Sequence, residues 1–350
     1  MKEILPELDR LACNGERAAI ATVVEVRRSA PRPPGAKLVV GEHGSISGSV
    51  SGGCVEGAVT AVAEQILAGA PPRLLSFGIA DADGWDVGLP CGGEIDVWVE
   101  AYIPGEFEAR ARAGECAVEV TVIDGAGAGA KLLITADGSA SGSLGSAARE
   151  AEAVSVATQL IWTGVSERRG ELFYDVVGPG PALFLFGAGD ITEAVCRLAR
   201  RVGLRPSVVD PRSRFAVAER FPEAEAVITA WPQEAIRALG GIDPSTSVIV
   251  LTHDPKLDDA ALMIALRSPA RFIGAMGSQT AARARRERLL AAGLSDAELD
   301  RLVAPLGLDL GAIDREETAL SIVAQIVAAR HGRAGGPLEN ISGPIHGTAR

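Results

Sequence analysis

Apolar residues along this chain fall into two regimes that meet at Pro179-Gly180-Pro181. Before that break they form short β-branched runs separated by glycine- and serine-rich hairpin signals. After it, compact apolar runs alternate regularly with helical segments, the pattern of a parallel sheet. The pattern predicts domains at 1–178 and 179–332, and a Gly- and Pro-rich tail at 333–350 that is poorly ordered.

The first half reads as a degenerate duplication. Lys37-Leu38-Val39-Val40 followed by Gly44-Ser45-Ile46-Ser47-Gly48-Ser49 matches Lys131-Leu132-Leu133-Ile134 followed by Gly138-Ser139-Ala140-Ser141-Gly142-Ser143. A β-branched strand pattern precedes each copy, at Ile20–Val26 and Val118–Ile123. An Ala-rich helical pattern follows, at Val55–Ala68 and Arg149–Trp162, and then a late strand, at Glu94–Tyr102 and Glu171–Val177. A strand–hairpin–helix–strand unit used twice, over 16–104 and 115–178, accounts for these matches.

The two copies differ where chemistry is possible. The first has Ser51-Gly52-Gly53-Cys54 where the second has Gly145-Ser146-Ala147-Ala148, without a thiol. Its Arg27–Gly35 loop is stiffened by three prolines, and it carries an insertion, Gly78 to Gly93, ending in Cys91-Gly92-Gly93. What only one copy has is not needed by the scaffold and belongs to a site. Arg28, Arg32, Gly52, Gly53, Cys54, Glu56, Cys91, Gly92 and Gly93 are therefore the candidates, and they are expected to converge. A glycine turn running into a helix can face an anion or lower a thiol pKa. Glu56 has a second reading, as an acid that complements the helix dipole. Cys13, Cys116 and Cys196 are expected to be ordinary buried thiols.

The second half begins with a buried strand at Ala182–Phe186, the turn Gly187-Ala188-Gly189-Asp190-Ile191-Thr192, and a helix to Val202. Further strands are expected at 207–210, 226–229, 247–252 and 271–273, and a last helix at Arg315–Ala329. A strand, a Gly-x-Gly turn, a helix and an acid, Asp210, about 20 residues on form the dinucleotide fingerprint, with Thr192 in the third glycine position. Ligands in such sheets bind beyond the C-terminal strand ends. The candidates there are Gly187, Gly189, Asp190, Asp210, Arg212, His253 and Asp254. The fold class is α/β: a duplicated N-terminal α/β domain followed by a Rossmann-like parallel-sheet domain.

Composition narrows the partners. The chain has 350 residues, 47 % of them hydrophobic, enough for sizeable cores, and a net charge of −11 that argues against nucleic acid and anionic membranes. No leader pattern or membrane-spanning apolar run is visible, so the cytoplasm is the expected compartment. Five cysteines in a chain of this length do not suggest a disulfide framework.

Several of these motifs together resemble the XdhC/CoxI family, maturation proteins for xanthine dehydrogenase and related molybdenum hydroxylases. The resemblance covers nearly the whole chain. It rests on Ser29-Ala30-Pro31-Arg32-Pro33-Pro34-Gly35-Ala36, Gly52-Gly53-Cys54-Val55-Glu56, Cys91-Gly92-Gly93, Phe186-Gly187-Ala188-Gly189 and Asp210-Pro211-Arg212. Leu251-Thr252-His253-Asp254-Pro255-Lys256, Ile273-Gly274-Ala275-Met276-Gly277-Ser278 and Gly307-Leu308-Asp309 complete it. Asp190 departs from the family, which usually has His there.

The resemblance implies a chaperone that binds molybdenum cofactor, as molybdopterin or its dinucleotide form, and supports its sulfuration and insertion. It implies a cysteine desulfurase and the large subunit of an apo molybdenum hydroxylase as partners, and a homo-dimer. Cys54, with Cys91 second, would be the metal- or sulfur-contacting thiol, and Arg28 and Arg32 anion clamps. Two other readings compete. One is an NAD(P)-dependent oxidoreductase with His253 as acid–base. The other is a scaffold that only bridges the partner proteins.

Overall fold

In a computed structural model, which describes residues 1–28, 30–78 and 93–340, the chain divides into two units, Met1–Pro179 and Gly180–Arg350. The first unit runs α1 (Leu5–Asn14), β1 (Ala18–Arg27), β2 (Lys37–Gly41), β3 (Ile46–Gly48), α2 (Glu56–Leu67), β4 (Arg73–Phe77) and β5 (Glu94–Ala101). The same series then repeats as α3 (Glu106–Ala113), β6 (Ala117–Val122), β7 (Lys131–Thr135), β8 (Ala140–Gly142), α4 (Ala147–Leu160), β9 (Glu167–Arg169) and β10 (Leu172–Val177). The two antiparallel sheets have the same order, β3-β2-β1-β5-β4 and β8-β7-β6-β10-β9.

The expected duplication is therefore present, and each copy is longer than its pattern suggested. A short helix opens each one, closed by a left-handed Gly15 or Gly114. An extra edge strand, β4 or β9, precedes the last strand.

Each sheet buries one face under its own helix. In the first copy Val59, Ala63 and Ile66 of α2 pack on Ala21, Val23, Leu38 and Val97. In the second Ala153, Ala157 and Leu160 of α4 cover Val118, Val120 and Leu132. The opposite faces meet each other, where Val24 and Trp98 of the first copy pack with Ile123 and Phe173 of the second. Both sheet faces are thus apolar, the arrangement that makes strand runs near-continuous rather than alternating.

Polar groups cross the same junction. Lys37 Nζ sits 2.7 Å from Asp175 Oδ2 and donates to Thr22 Oγ1 at 2.8 Å. Lys131 Nζ donates to Glu100 and Glu119 at 2.8 and 2.6 Å. In strand register Lys37 opposes Thr22, which opposes Trp98; Lys131 opposes Thr121, which opposes Phe173. Lys37 and Lys131 are thus equivalent, as are Glu100 and Asp175, so each copy sends its lysine to the other's last strand.

The second unit has strands β11 (Ala182–Phe186), β12 (Arg205–Val209), β13 (Ala226–Ile228), β14 (Ser247–Val250), β15 (Phe272–Ala275) and β16 (Leu302–Val303). All pair in parallel in the order β13-β12-β11-β14-β15-β16, the doubly wound Rossmann order. Helices α5 (Asp190–Arg201) and α10 (Arg315–Arg330) cover one face, with Val195, Cys196, Ile322 and Ile326 buried. On the other face lie α6 (Pro232–Ala238), α7 (Pro255–Leu266) and α8 (Gln279–Ala291), through Ile236, Leu262 and Leu289. The short α9 (Asp296–Leu299) precedes β16. No helix among the described residues is long and apolar enough to cross a membrane.

Candidate functional site

In the first unit, the Gly52–Cys54 turn leads into α2, and its donors are already engaged. Glu56 accepts from the amides of Val50, Ser51 and Gly53 at 3.2, 2.9 and 2.8 Å, and from the hydroxyls of Ser49 and Ser51. Gly52 donates to Ser49 Oγ and Val55 to Ser51 Oγ. Burial acts to raise the Glu56 pKa, yet the hydroxyl and amide donors outweigh it and bring it to about 2. For the amides of Val50, Ser51 and Gly53 the chain supplies its own carboxylate in place of an external anion.

The second copy explains why. Glu150 accepts from Ser143 Oγ at 2.7 Å and from the Leu144 amide at 3.0 Å, and its pKa is lowered by the same donors. Glu56 is thus the counterpart of Glu150, a lock that both copies share. The two turns differ in Cys54, half-buried against the core of α2 and sheet one.

Pro31 Cβ comes to 3.8 Å from where a Cβ of Gly52 would sit, and Ala30 packs on the same core as Cys54. The proline loop and the thiol turn therefore lie side by side. Arg28, at φ 67°, is the one non-glycine residue among the described residues with positive φ. Its guanidinium is 62 % exposed and only loosely paired, 3.8 Å from Glu94. Neighbouring Arg27 is fully occupied, donating to Asp96 at 2.9 Å twice and to Glu94 at 3.0 Å.

Arg32 goes elsewhere. It pairs with Glu3 and lines a cleft of about 380 Å³ with Pro33–Ala36, Gly164–Ser166 and Asp175, a cleft whose lining does not include Gly52–Cys54. Its Nε is buried without an acceptor among the described residues. Ala30 and Pro31 thus lie against the Cys54 turn, while Arg32 faces a second concavity. Gly93 immediately precedes β5, whereas Cys91 and Gly92 lie outside the described residues. Among the described residues no three His, Cys, Asp or Glu side chains cluster as a metal site. Cys196 is buried as expected, but Cys13 is exposed and Cys116 half-buried.

In the second unit the fingerprint is present and internally satisfied. Gly187, at φ 110°, turns so tightly that a Cβ would lie 2.4 Å from Thr252 Cγ2, which excludes any side chain. Thr192 donates to the Gly187 carbonyl at 2.5 Å, so the residue in the third glycine position pins the turn. Asp210 is fully buried and accepts from the Ala188 amide at 2.9 Å. Arg212 closes on it with Nε and Nη2 at 2.9 and 2.7 Å. Burial would raise the Asp210 pKa, but Arg212 and the Ala188 amide hold it below the ordinary value. A ribose would find this carboxylate engaged.

Asp190 turns outward and pairs with Arg220 at 3.1 Å. Asp254 caps α7 by accepting from the Lys256 amide, and His253 beside it is exposed. Gly189 has open space where its Cβ would be.

One buried pair went unanticipated. Arg285 of α8, 4 % exposed, donates Nη2 to Asp258 at 3.0 Å and to the Met276 carbonyl at 3.1 Å. Thr252 donates to the other Asp258 oxygen. A signal existed in the spacing, since Arg285 lies one turn before buried Leu289 and so on the core face of α8.

This chain, a duplicated α/β unit with a thiol turn in one copy followed by a Rossmann unit, belongs to the XdhC and CoxI family. Its residues 11–78 match the XdhC and CoxI family model and residues 183–326 the XdhC Rossmann domain. Among individual relatives, a probable xanthine dehydrogenase subunit of Bacillus subtilis is 28 % identical over 92 % of this chain and 96 % of its own length. The molybdenum cofactor insertion chaperone PaoD of Escherichia coli is 27 % identical over 91 % of this chain and 85 % of its own. A crystal structure of a Bacillus halodurans protein described as a xanthine dehydrogenase aligns with TM-score 0.66 at 26 % identity, covering 94 % of this chain and 96 % of that one.

Proposed function

We propose that this protein is a maturation chaperone that binds molybdenum cofactor and supports its sulfuration and insertion into a xanthine dehydrogenase-type molybdenum hydroxylase. The observation that carries the reading is Cys54, a half-buried thiol on a glycine turn that only one of two otherwise matched copies possesses, in a chain similar over 91 % of its length to a cofactor insertion chaperone. The residues suit the group. A thiolate is a soft ligand for molybdenum or a carrier of sulfane sulfur, and Arg28, in the loop whose Pro31 lies by the thiol turn, has an exposed guanidinium for an anionic substituent. Bound cofactor would supply the metal centre that the client enzyme lacks. Cys54 would hold the metal or sulfur end, with Cys91 as second candidate, and Arg28 would orient it. Arg32 would contribute from its cleft.

In the second unit, Gly187 and Gly189 with the neighbouring strand ends would take the base of a nucleotide. The expected partners are a cysteine desulfurase, a second copy of this chain and the large subunit of the apo-hydroxylase, in the cytoplasm. The oxidoreductase reading is weakened because Asp210, the ribose acceptor it needs, is closed off by Arg212.

The test is to measure molybdenum and pterin in the full chain purified from a cofactor-producing host, beside Cys54→Ala. Both co-purifying with wild type and falling at least several-fold in the variant is the expected result. Equal content in the two proteins would remove Cys54 from the site, and none in either would reject the carrier reading.

A further inference from the structure

The fingerprint turn is poorly placed to receive a phosphate: the Ala188 amide already donates to Asp210, and the Asp190 carboxylate stands at the mouth of α5. The turn between β15 and α8 leads into a helix with no acid in its first turn. α8 is 13 residues long, and the amides of Gly277, Ser278, Gln279 and Thr280 find no acceptor among the described residues. Behind them lies Arg285, 4 % exposed, whose Nε and Nη1 are buried and without an acceptor among the described residues. Nη1 lies 3.9 Å from the position a Cβ of Gly277 would take, and Gly277 has φ 144°. A side chain there would be strained and would stand between the guanidinium and anything resting on the turn.

The geometry points to a phosphate-binding site at Gly277–Thr280, with Arg285 as its buried counter-charge, in place of the fingerprint turn at Gly187–Asp190. Unpaired amides at a helix start form an anion nest, and a buried guanidinium with two nitrogens lacking an acceptor stands behind this one. Asp258 faces Nη2 alone and leaves Nε and Nη1 unmatched. Arg283, one turn into α8, is exposed and makes no ion pair among the described residues. The ligand's identity rests on the proposed cofactor role. The phosphate would be either the monoester of a pterin or the diphosphate bridge to a nucleotide.

The full chain is titrated calorimetrically with inorganic phosphate and with pyrophosphate. A preference for pyrophosphate assigns the bridge, and equal affinity assigns the monoester. Ser278→Asp keeps a side-chain cap on α8 while adding a negative charge, so unliganded melting should be unchanged and pyrophosphate affinity should fall about tenfold or more. Thr280→Glu, exposed in the first turn, repeats the test without touching the cap, with the same loss expected. Asp190→Ser should leave affinity unchanged. Wild-type affinity in both charge variants, tighter binding in Asp190→Ser, or no binding to wild type at millimolar pyrophosphate would each overturn the assignment. Metal and pterin content separates this result from the broader reading. Pyrophosphate bound at α8 without molybdenum or pterin keeps this site and rejects the carrier, and the reverse keeps the carrier and rejects this site.

Discussion

Cys54 and Glu56 sit two residues apart, and the structure gives them opposite meanings. Glu56 organises the turn and has a twin in Glu150, whereas Cys54 has only Ala148 at its counterpart. Removing the charge from Glu56 should therefore cost stability rather than binding chemistry. Glu56→Gln is expected to destabilise the full chain by about 1–2 kcal/mol at pH 7, a figure already reduced for solvent screening. The folded-state pKa of about 2 lies below the ordinary 4.5, so this stabilisation is present above pH 4.5 and disappears as pH falls toward 2. Urea midpoints at pH 7 and pH 3 check it: the gap between wild type and variant should narrow at the lower pH. A gap that widened in acid would mean the carboxylate does not act as a charged acceptor.

At the scale of elements, the Rossmann turn shows how tightly a short segment is specified. Gly187→Ala places a Cβ 2.4 Å from Thr252 Cγ2 at φ 110°, combining backbone strain with overpacking. A loss of about 2–4 kcal/mol is expected, seen as a lower melting temperature of the full chain. Gly189→Ala meets open space and should cost under about 1 kcal/mol, so near-equal losses would contradict this account of the turn. These elements were legible in the sequence because their signals are local: β11 is five consecutive apolar residues followed by Gly-x-Gly. The edge strands β9 and β16 were not legible. They are three and two residues long, Glu-Arg-Arg and Leu-Val, and owe their conformation to the neighbour they pair with. Arg285 was hidden for a related reason, since an arginine among four on one helix declares its burial only once the sheet packs against it.

For the molecule as a whole, the duplication was readable from two matched hairpins, but its consequence was not. The matched lysines look like ordinary surface residues at the start of a strand. Their partners lie in the opposite copy, so the pairing exists only after two sheets fold and stack. The stacking also makes equivalent residues unequal. Lys37 and Asp175 are 6 % and 7 % exposed, whereas Lys131 is 37 % exposed and shared between Glu100 and Glu119. Lys37→Met should leave Asp175 buried with Ser166 as its hydrogen-bond donor among the described residues and the Met1 ammonium as its nearest remaining cation, at a cost of about 3–5 kcal/mol. Lys131→Met, at the wetter end, should cost about 1–2 kcal/mol. Adding Asp175→Asn to Lys37→Met removes the stranded charge and should recover at least half of the loss, because most of that loss is desolvation of an unpaired carboxylate rather than attraction forgone. Urea midpoints of the three variants decide the matter. If Lys37→Met costs no more than Lys131→Met, or if the double substitution recovers nothing, the junction is held by its apolar contacts and by Arg168 with Glu25 and Asp96, and the crossed lysines are incidental to how the two copies associate.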